Sequence, residues 1–386
     1  MIFEGPYITD EHYPSDESIV DAKREVIKTT SPARVFSCTD IDKFLNNVVT
    51  ELDYNGSSPS RLFLCIVGDV RFLTKFSIYR MNEPERYGQI TSGNLPEIDA
   101  EIAILTKLRD NVIYKGYTPC IVEILYSKTC TVSKLAPSDR ICSNYAKNPG
   151  DGNLDDRLRS FLCDAKWLVE SGLAHDKCAF IILDRCDISF ESFLERSHDS
   201  PIEIAVFLSL LFEIIHAMYA ITKVYPGFRH GDLHSHNVQI KFNDWVRFDM
   251  TRPEFRLFVI DGKNFYIPYF GMTPKIIDFG FSSLPEEGIT SSATDNKLLM
   301  NYRSKNDILF FLHNIYYTSI VAKLAYLRDI LAILEPNFTY ANYNTEYIRK
   351  IEHKIPTYKQ MLSNSLFAGY ARDTPPVGKI ISRHEI

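Results

Sequence analysis

The stretch "FRHGDLHSHNVQIKF", residues 228–242, sets Asp232 and Asn237 five positions apart among three histidines, His230, His234 and His236. A carboxylate and a carboxamide at that spacing are oxygen ligands for a hard cation, whereas three histidines within seven residues would suit zinc. Zinc is the poorer account, because no cysteine lies near the cluster and a second carboxylate follows in "KIIDFG". There Ile276 and Ile277 read as a short buried strand that would deliver Asp278 to a cleft, with Gly280 allowing a sharp turn behind it.

Two carboxylates and an Asn are part of what phosphoryl transfer from a nucleotide requires, since that reaction depends on positioning and charge neutralisation more than on covalent help. One carboxylate, Asp232, would orient the acceptor hydroxyl; Asn237 and Asp278 would hold a divalent cation bridging the phosphates. A Lys must also meet phosphate oxygens, and an acid must hold that Lys. Upstream, "RLFLCIVGDVRFLTKFSIYR" shows two β-rich runs joined at Gly68-Asp69. Alternation along the second run puts Phe72, Phe76 and Ile78 on one face and Leu73, Lys75, Ser77 and Tyr79 on the other. The first is the better core face, so Lys75 faces either a cleft or solvent, and periodicity alone does not choose. The helical pattern of "NLPEIDAEIAILTKLRD" supplies an acid in Glu101, with Glu97 a turn earlier as the second choice.

In this order these residues resemble the protein kinases: "HGDLHSHN" is similar to their catalytic loop, "DFG" to their metal-binding triplet, Lys75 to the strand-three lysine and Glu101 to its helix partner. The resemblance spans roughly residues 55–375. The His after "DL", the extra hairpin between Asn237 and Asp278 and the missing APE triplet resemble haspin-like kinases and the divergent kinases of large DNA viruses. What the resemblance implies is ATP and Mg2+ as cofactors, Asp232 as catalytic base, Asn237 and Asp278 as metal ligands, and Lys75 and Glu101 at the nucleotide phosphates. It further implies Leu183 near the gatekeeper position, Asp184 to Cys186 facing the adenine, His230 packed to hold the loop, and Asp307 as the acid that anchors it. The sequence departs from the pattern in three places. "YNGSSPS" carries only Gly56 where a glycine-rich loop is expected; Gly231 replaces the Arg of HRD; and His234, a weaker cation near neutral pH, stands where a Lys is usual. Without that Arg, a phosphate on the segment bearing Thr290, Ser291, Ser292 and Thr294 has less to bind.

The remaining sequence bounds these readings. The chain has 386 residues, enough for two lobes, with 45% hydrophobic and 24% charged residues, as in globular proteins. A net charge of −6 argues against a bulk grip on nucleic acid, so no nucleic-acid partner is expected. The eight cysteines form no CxxC pair and several sit in apolar runs, which reads as reduced thiols in a cytosolic compartment. No secretory signal is visible at the N-terminus. "IAVFLSLLFEIIHAMYAI", residues 204–221, is about as long as a membrane span, but Glu213 and His216 interrupt it, so a core helix and no membrane span is the better reading.

Strands precede helices, which indicates an α+β arrangement of two lobes; what the resemblance implies is a bilobal, protein-kinase-like fold with a β-rich N-lobe and a mainly helical C-lobe. Residues 1–54 read as an extension with an amphipathic helix near "DIDKFLNNVVTEL", 55–183 as the N-lobe, with 127–176 inserted, and 184–386 as the C-lobe, helical from about 305 to the end. "FRLFVIDGKNFYIPYF" reads as a hairpin about Asp261-Gly262. The functional expectation is a serine/threonine protein kinase acting on a protein substrate, cytoplasmic, or in the host cytoplasm or virion if viral. The rivals are a small-molecule kinase of the aminoglycoside or choline type and a pseudokinase scaffold. Nothing in the sequence sets the oligomeric state.

Overall fold

A computed structural model describes residue 38 and residues 48–52, 60–67, 70–81, 95–139, 141–143, 154–197, 201–242, 253–292, 304–336 and 352–386. Gly56, the Gly68-Asp69 turn, Thr294 and most of residues 1–54 lie outside the described residues. The strands are β1 (Val48–Leu52), β2 (Ser60–Val67), β3 (Val70–Arg80), β4 (Ile124–Cys130), β5 (Ala174–Asp184), β6 (Ile188–Ser189), β7 (Val238–Phe242), β8 (Glu254–Ile260), β9 (Lys263–Tyr269), β10 (Met272–Ile276), β11 (Ser283–Leu284), β12 (Ile289–Thr290) and β13 (Lys379–Glu385). The helices are α1 (Glu97–Leu108), α2 (Val132–Leu135), α3 (Leu154–Glu170), α4 (Phe190–Glu195), α5 (Pro201–Val224), α6 (Ser304–Val321), α7 (Ala325–Leu334) and α8 (Tyr358–Leu362).

Two compact units result. Among described residues, the smaller takes residue 38, residues 48–81 and residues 123–185; the larger takes 95–122 and 186–386. The smaller unit is a five-stranded sheet in the order β1-β2-β3-β5-β4, every pair antiparallel. Alternation along β3 buries Phe72, Phe76 and Ile78, as the sequence predicts, and the Phe76 ring meets Phe180 of β5 at 4.5 Å and Phe161 of α3 at 5.4 Å. Helix α3 adds Leu158, Leu162 and Ala165 to the same core.

Two expectations are corrected here. Residues 127–176, read as an insertion with a helix near "RLRSFLCDAKWLVESG", do hold that helix as α3, but they also supply most of β4 and the start of β5, and their apolar residues close the core of the sheet, so they are integral to it. The polar surface of α3 and the loop before it gave them the look of an insertion. The helix expected over "DIDKFLNNVVTEL" is likewise replaced, in its described part, by β1, because Val48 and Leu52 find ladder partners in Cys65 and Leu62 of β2. A third correction concerns the thiols. Cys38 pairs with Cys130 and Cys142 with Cys163 in disulfides, leaving Cys65, Cys120, Cys178 and Cys186 free. The Cys38–Cys130 link spans 92 residues of chain, a closure that removes on the order of 4–5 kcal/mol of unfolded-chain freedom.

In the larger unit, α1 is fastened by the N–H bonds from Leu95 to the Thr290 carbonyl and from Ser292 to the Leu95 carbonyl, each within 2.9 Å, and by the Lys107–Glu287 ion pair at 2.8 Å. Those bonds are why residues 95–122 group with the C-terminal residues and not with the sheet that the sequence placed them in. Helix α5 is long and apolar enough to cross a bilayer, yet 78% of its apolar window is buried inside the protein. Its two polar interruptions are accommodated there. Glu213 Oε2 accepts from Arg256 Nη1 at 2.8 Å, while Arg256 Nη2 donates to Thr273 Oγ1 at 2.6 Å and the guanidinium lies 4.3 Å from the centre of the Tyr269 ring. His216 sits against Phe212 and Phe258, and burial pulls its imidazole down to about 3, so it stays neutral.

Arg256 belongs to the expected hairpin, β8–β9, whose ladder runs from Glu254↔Tyr269 to Ile260↔Lys263. The C-terminal residues, expected to be helical with loops at "EPNFTY" and "DTPP", end instead in β13, which pairs parallel to β8, with His384 Nδ1 bonded to the Gly116 carbonyl at 2.9 Å. A parallel partner more than a hundred residues away leaves no local signal in "KIISRHE".

Arg256→Met should destabilise the protein by about 3–5 kcal/mol, since it strands Glu213 as an uncompensated buried charge. The double change Arg256→Met/Glu213→Leu should recover most of that loss in urea unfolding; a double variant no more stable than the single one would show that the ion pair is not the source of the cost.

Candidate active site

Pairing of β7 with β10 is what brings the two diagnostic stretches together. The ladder aligns Val238 with Ile276, and the next residues continue it, the Ile277 N–H donating to the Asn237 carbonyl at 2.9 Å. Asn237, just before β7, and Asp278, just after β10, therefore lie at the same end of two adjacent strands.

The loop leading into β7 is irregular, and its polar backbone is satisfied from three sides. The N–H groups of His230 and Gly231 donate to Asp307 Oδ2 and Oδ1 at 2.8 and 3.0 Å. The His230 carbonyl accepts from Ser282 Oγ at 2.8 Å. His230 Nε2 lies 2.9 Å from the Ile277 carbonyl, which can only accept, so this nitrogen carries the proton. The fully buried imidazole also packs on Phe279 at 4.9 Å, and burial lowers its pKa.

Asn237 closes the loop on itself: its Nδ2 donates to the Asp232 carbonyl at 2.8 Å and to Asp232 Oδ2 at 3.2 Å. The carboxamide nitrogen is thereby engaged, which leaves Oδ1 as the oxygen that can meet a cation. Asp278 has φ 59°, a left-handed conformation that a non-glycine residue rarely holds. Strain of this kind, of order 1–3 kcal/mol, persists where the surroundings impose it and collects at functional sites.

The histidines do not converge. His234 Nε2 is 3.4 Å from Asp232 Oδ2, whereas His236 pairs with the Glu191 carboxylate of α4. Among the described residues no three His, Cys, Asp or Glu side chains gather as a metal site. The donors at Asp232, Asn237 and Asp278 are oxygens, the set that suits magnesium.

Gly231 stands where protein kinases carry Arg, and the geometry gives the reason. Its φ is +82°, and a Cβ there would lie against the Phe281 carbonyl oxygen, far inside van der Waals contact. Gly280 differs from its expected role. Its φ is not positive; a Cβ there would press on the Glu97 carboxylate at 2.8 Å, so the glycine admits a close neighbour, and the unusual turn falls on Asp278.

The other anticipated residues are placed as follows. Lys75 is half-buried in the middle of β3, paired with Leu62 and Ile181, in the smaller unit. Glu101 is 2% exposed on α1, in the larger. Asp184, 5% exposed, ends β5, where its N–H donates to the Glu123 carbonyl at 3.0 Å, and Cys186 is half-buried two residues on. Three contributors escaped the sequence reading: Ser282, Glu191 and the Asn237–Asp232 bond. Serine and glutamate are too common at surfaces to signal such contacts alone.

Asp307, in the first turn of α6, carries the loop. Burial pushes its carboxyl from the ordinary 3.8 up to about 7, against the pull of the two N–H donors and of Arg229. The folded protein thus keeps a proton that the unfolded chain releases. Its contribution to stability is full below about pH 4 and is lost as pH rises to about 7. The wild-type advantage over Asp307→Asn should accordingly fall across that interval, by on the order of 4 kcal/mol, in denaturant unfolding at several pH values; a pH-independent difference would contradict the assignment. Gly231→Ala should lose at least about 1–2 kcal/mol from backbone conformation alone, more with the clash, measured the same way.

No protein-family profile matches the chain. The chain is 26% identical over 310 residues, 69% of its length and 76% of the relative's, to a protein of Acanthamoeba polyphaga mimivirus named "Putative serine/threonine-protein kinase". That similarity supports a protein-kinase-like family for this chain.

Proposed function

We propose that this protein is an ATP-dependent serine/threonine protein kinase that transfers the γ-phosphoryl group of ATP to a hydroxyl of a protein substrate. The observation that carries the reading is the junction of Asp232, Asn237 and Asp278: one side chain bonded to the next, the third delivered by the neighbouring strand in a left-handed conformation. Asp232 accepts the proton of the attacking hydroxyl and orients its oxygen. Asn237 Oδ1 and the Asp278 carboxylate hold Mg2+, which when bound neutralises charge on the phosphates. His234, 3.4 Å from Asp232, is assigned on the sequence pattern the place of the Lys that would reach the transferred phosphoryl group. Lys75 and Glu101 are assigned to the nucleotide phosphates, and Asp184 and Cys186 to the adenine, on the sequence pattern. The similarity to the mimivirus protein supports the kinase reading.

The test is transfer of label from γ-labelled ATP with magnesium to basic and acidic protein substrates. Asp232→Asn and Asp278→Ala should each reduce phosphorylation of Ser or Thr by at least about 10²-fold, the scale of a lost general base or metal ligand. Magnesium-dependent ATP binding without transfer to any protein would favour a small-molecule acceptor, and absence of ATP binding would favour a scaffold.

A further inference from the structure

The five-stranded sheet has β1 at one edge and β4 at the other. Cys130 is the last residue of the β4 edge, and its disulfide partner, Cys38, precedes the β1 edge by ten residues. One covalent bond thus ties the chain entering one edge to the opposite edge. Four strand spacings of about 4.8 Å put the edges about 19 Å apart, within the reach of about 33–36 Å that ten residues allow. Cys38 is half-buried and packs against the core cluster of this unit, while Cys130 is 6% exposed. Lys75 lies in the same sheet, in one cross-strand row with Ile181 and Ser127, and Cys130 is three residues along β4 from that row.

We propose that the Cys38–Cys130 disulfide is a redox-operated strap across the edges of this sheet, opened by a dithiol reductant and closed by a disulfide oxidant. Opening proceeds by attack of one reductant thiolate on the more exposed sulfur, Cys38, releasing the Cys130 thiolate. The second thiol of the reductant then displaces Cys38 and closes its own disulfide, so that two protein thiols form for one dithiol oxidised. Cys178 stands directly opposite Cys130 on β5 and would be the obvious competitor for it. Burial pushes the Cys178 thiol up to about 12, which keeps it protonated and out of exchange. Opening frees both edges at once, which is how a distant bond can reach strand β3.

The experiment uses the full chain, wild type and Cys142→Ser/Cys163→Ser, purified without reductant. Peptide mapping should find Cys38 joined to Cys130. Dithiothreitol should then speed amide hydrogen exchange in Val48–Leu52 and Ile124–Cys130 at least about tenfold in both proteins, and glutathione disulfide should reverse it. Cys38→Ser should show the faster exchange from the outset and no further response in these strands. Free Cys38 and Cys130 thiols in the purified protein, or exchange in both strands within about twofold after reduction, would overturn the proposal. None of these readouts depends on the kinase reading. If that reading also holds, phosphate transfer falls with opening; a strap that opens without affecting transfer would leave the strap standing and count against a role for Lys75.

Discussion

A buried carboxylate with two backbone N–H groups to receive is the constraint on which the site depends. Residues 230–237 form neither helix nor strand, so their polar backbone cannot be satisfied by a ladder, and an unpaired buried N–H costs about 1–3 kcal/mol. Asp307 meets two of them and Ser282 meets the intervening carbonyl. With the loop fixed there, His230 can bond the Ile277 carbonyl, and the Asp232 backbone falls within reach of Asn237. Each of these bonds has geometry only because the one before it does.

The second requirement is that β10 be held where it can present Asp278. Its pairing with β7 sets the register, and Lys275 Nζ bonds the Pro119 carbonyl at 2.5 Å, while Arg256 clamps Thr273 from the hairpin. The hairpin between Asn237 and Asp278 is therefore structural. It carries the buried guanidinium that satisfies Glu213 of α5 and that braces the strand leading to the site. β13 then covers the β8 edge, which would otherwise present unpaired backbone groups.

Much of this was legible where a local pattern and a physical need coincide. The β2–β3 and β8–β9 hairpins announced themselves by alternation about short turns, and the Asp232/Asn237 and Asp278 stretches by residue type. Alternation leaves the face of Lys75 open, because it fixes which residues share a face and not what the face meets. Glu213 reads as an interruption because its partner, Arg256, lies on another element; Asp307 is legible through the resemblance alone, because its partners are backbone groups that leave no pattern in the sequence. The cysteines misled for the same reason: Cys38 and Cys130 are neighbours only through the fold of the sheet, and their spacing carries no trace of it. β13 is set by a tertiary partner too, so its sequence signal is that of a tail.

Gly231 and Asp307 together suggest how this loop differs from one with Arg in the same place. An L side chain at 231 is opposed both by the left-handed backbone and by the Phe281 carbonyl, so no cation can enter there without moving the segment after Asp278. Asp307 is consequently left with backbone donors and the influence of Arg229, too little to offset its desolvation, and its proton affinity rises towards neutrality. An anchor that changes charge near pH 7 is a charge-assisted acceptor when ionised and a weaker neutral acceptor when protonated. Rising pH therefore removes the stability that the bound proton gives the fold.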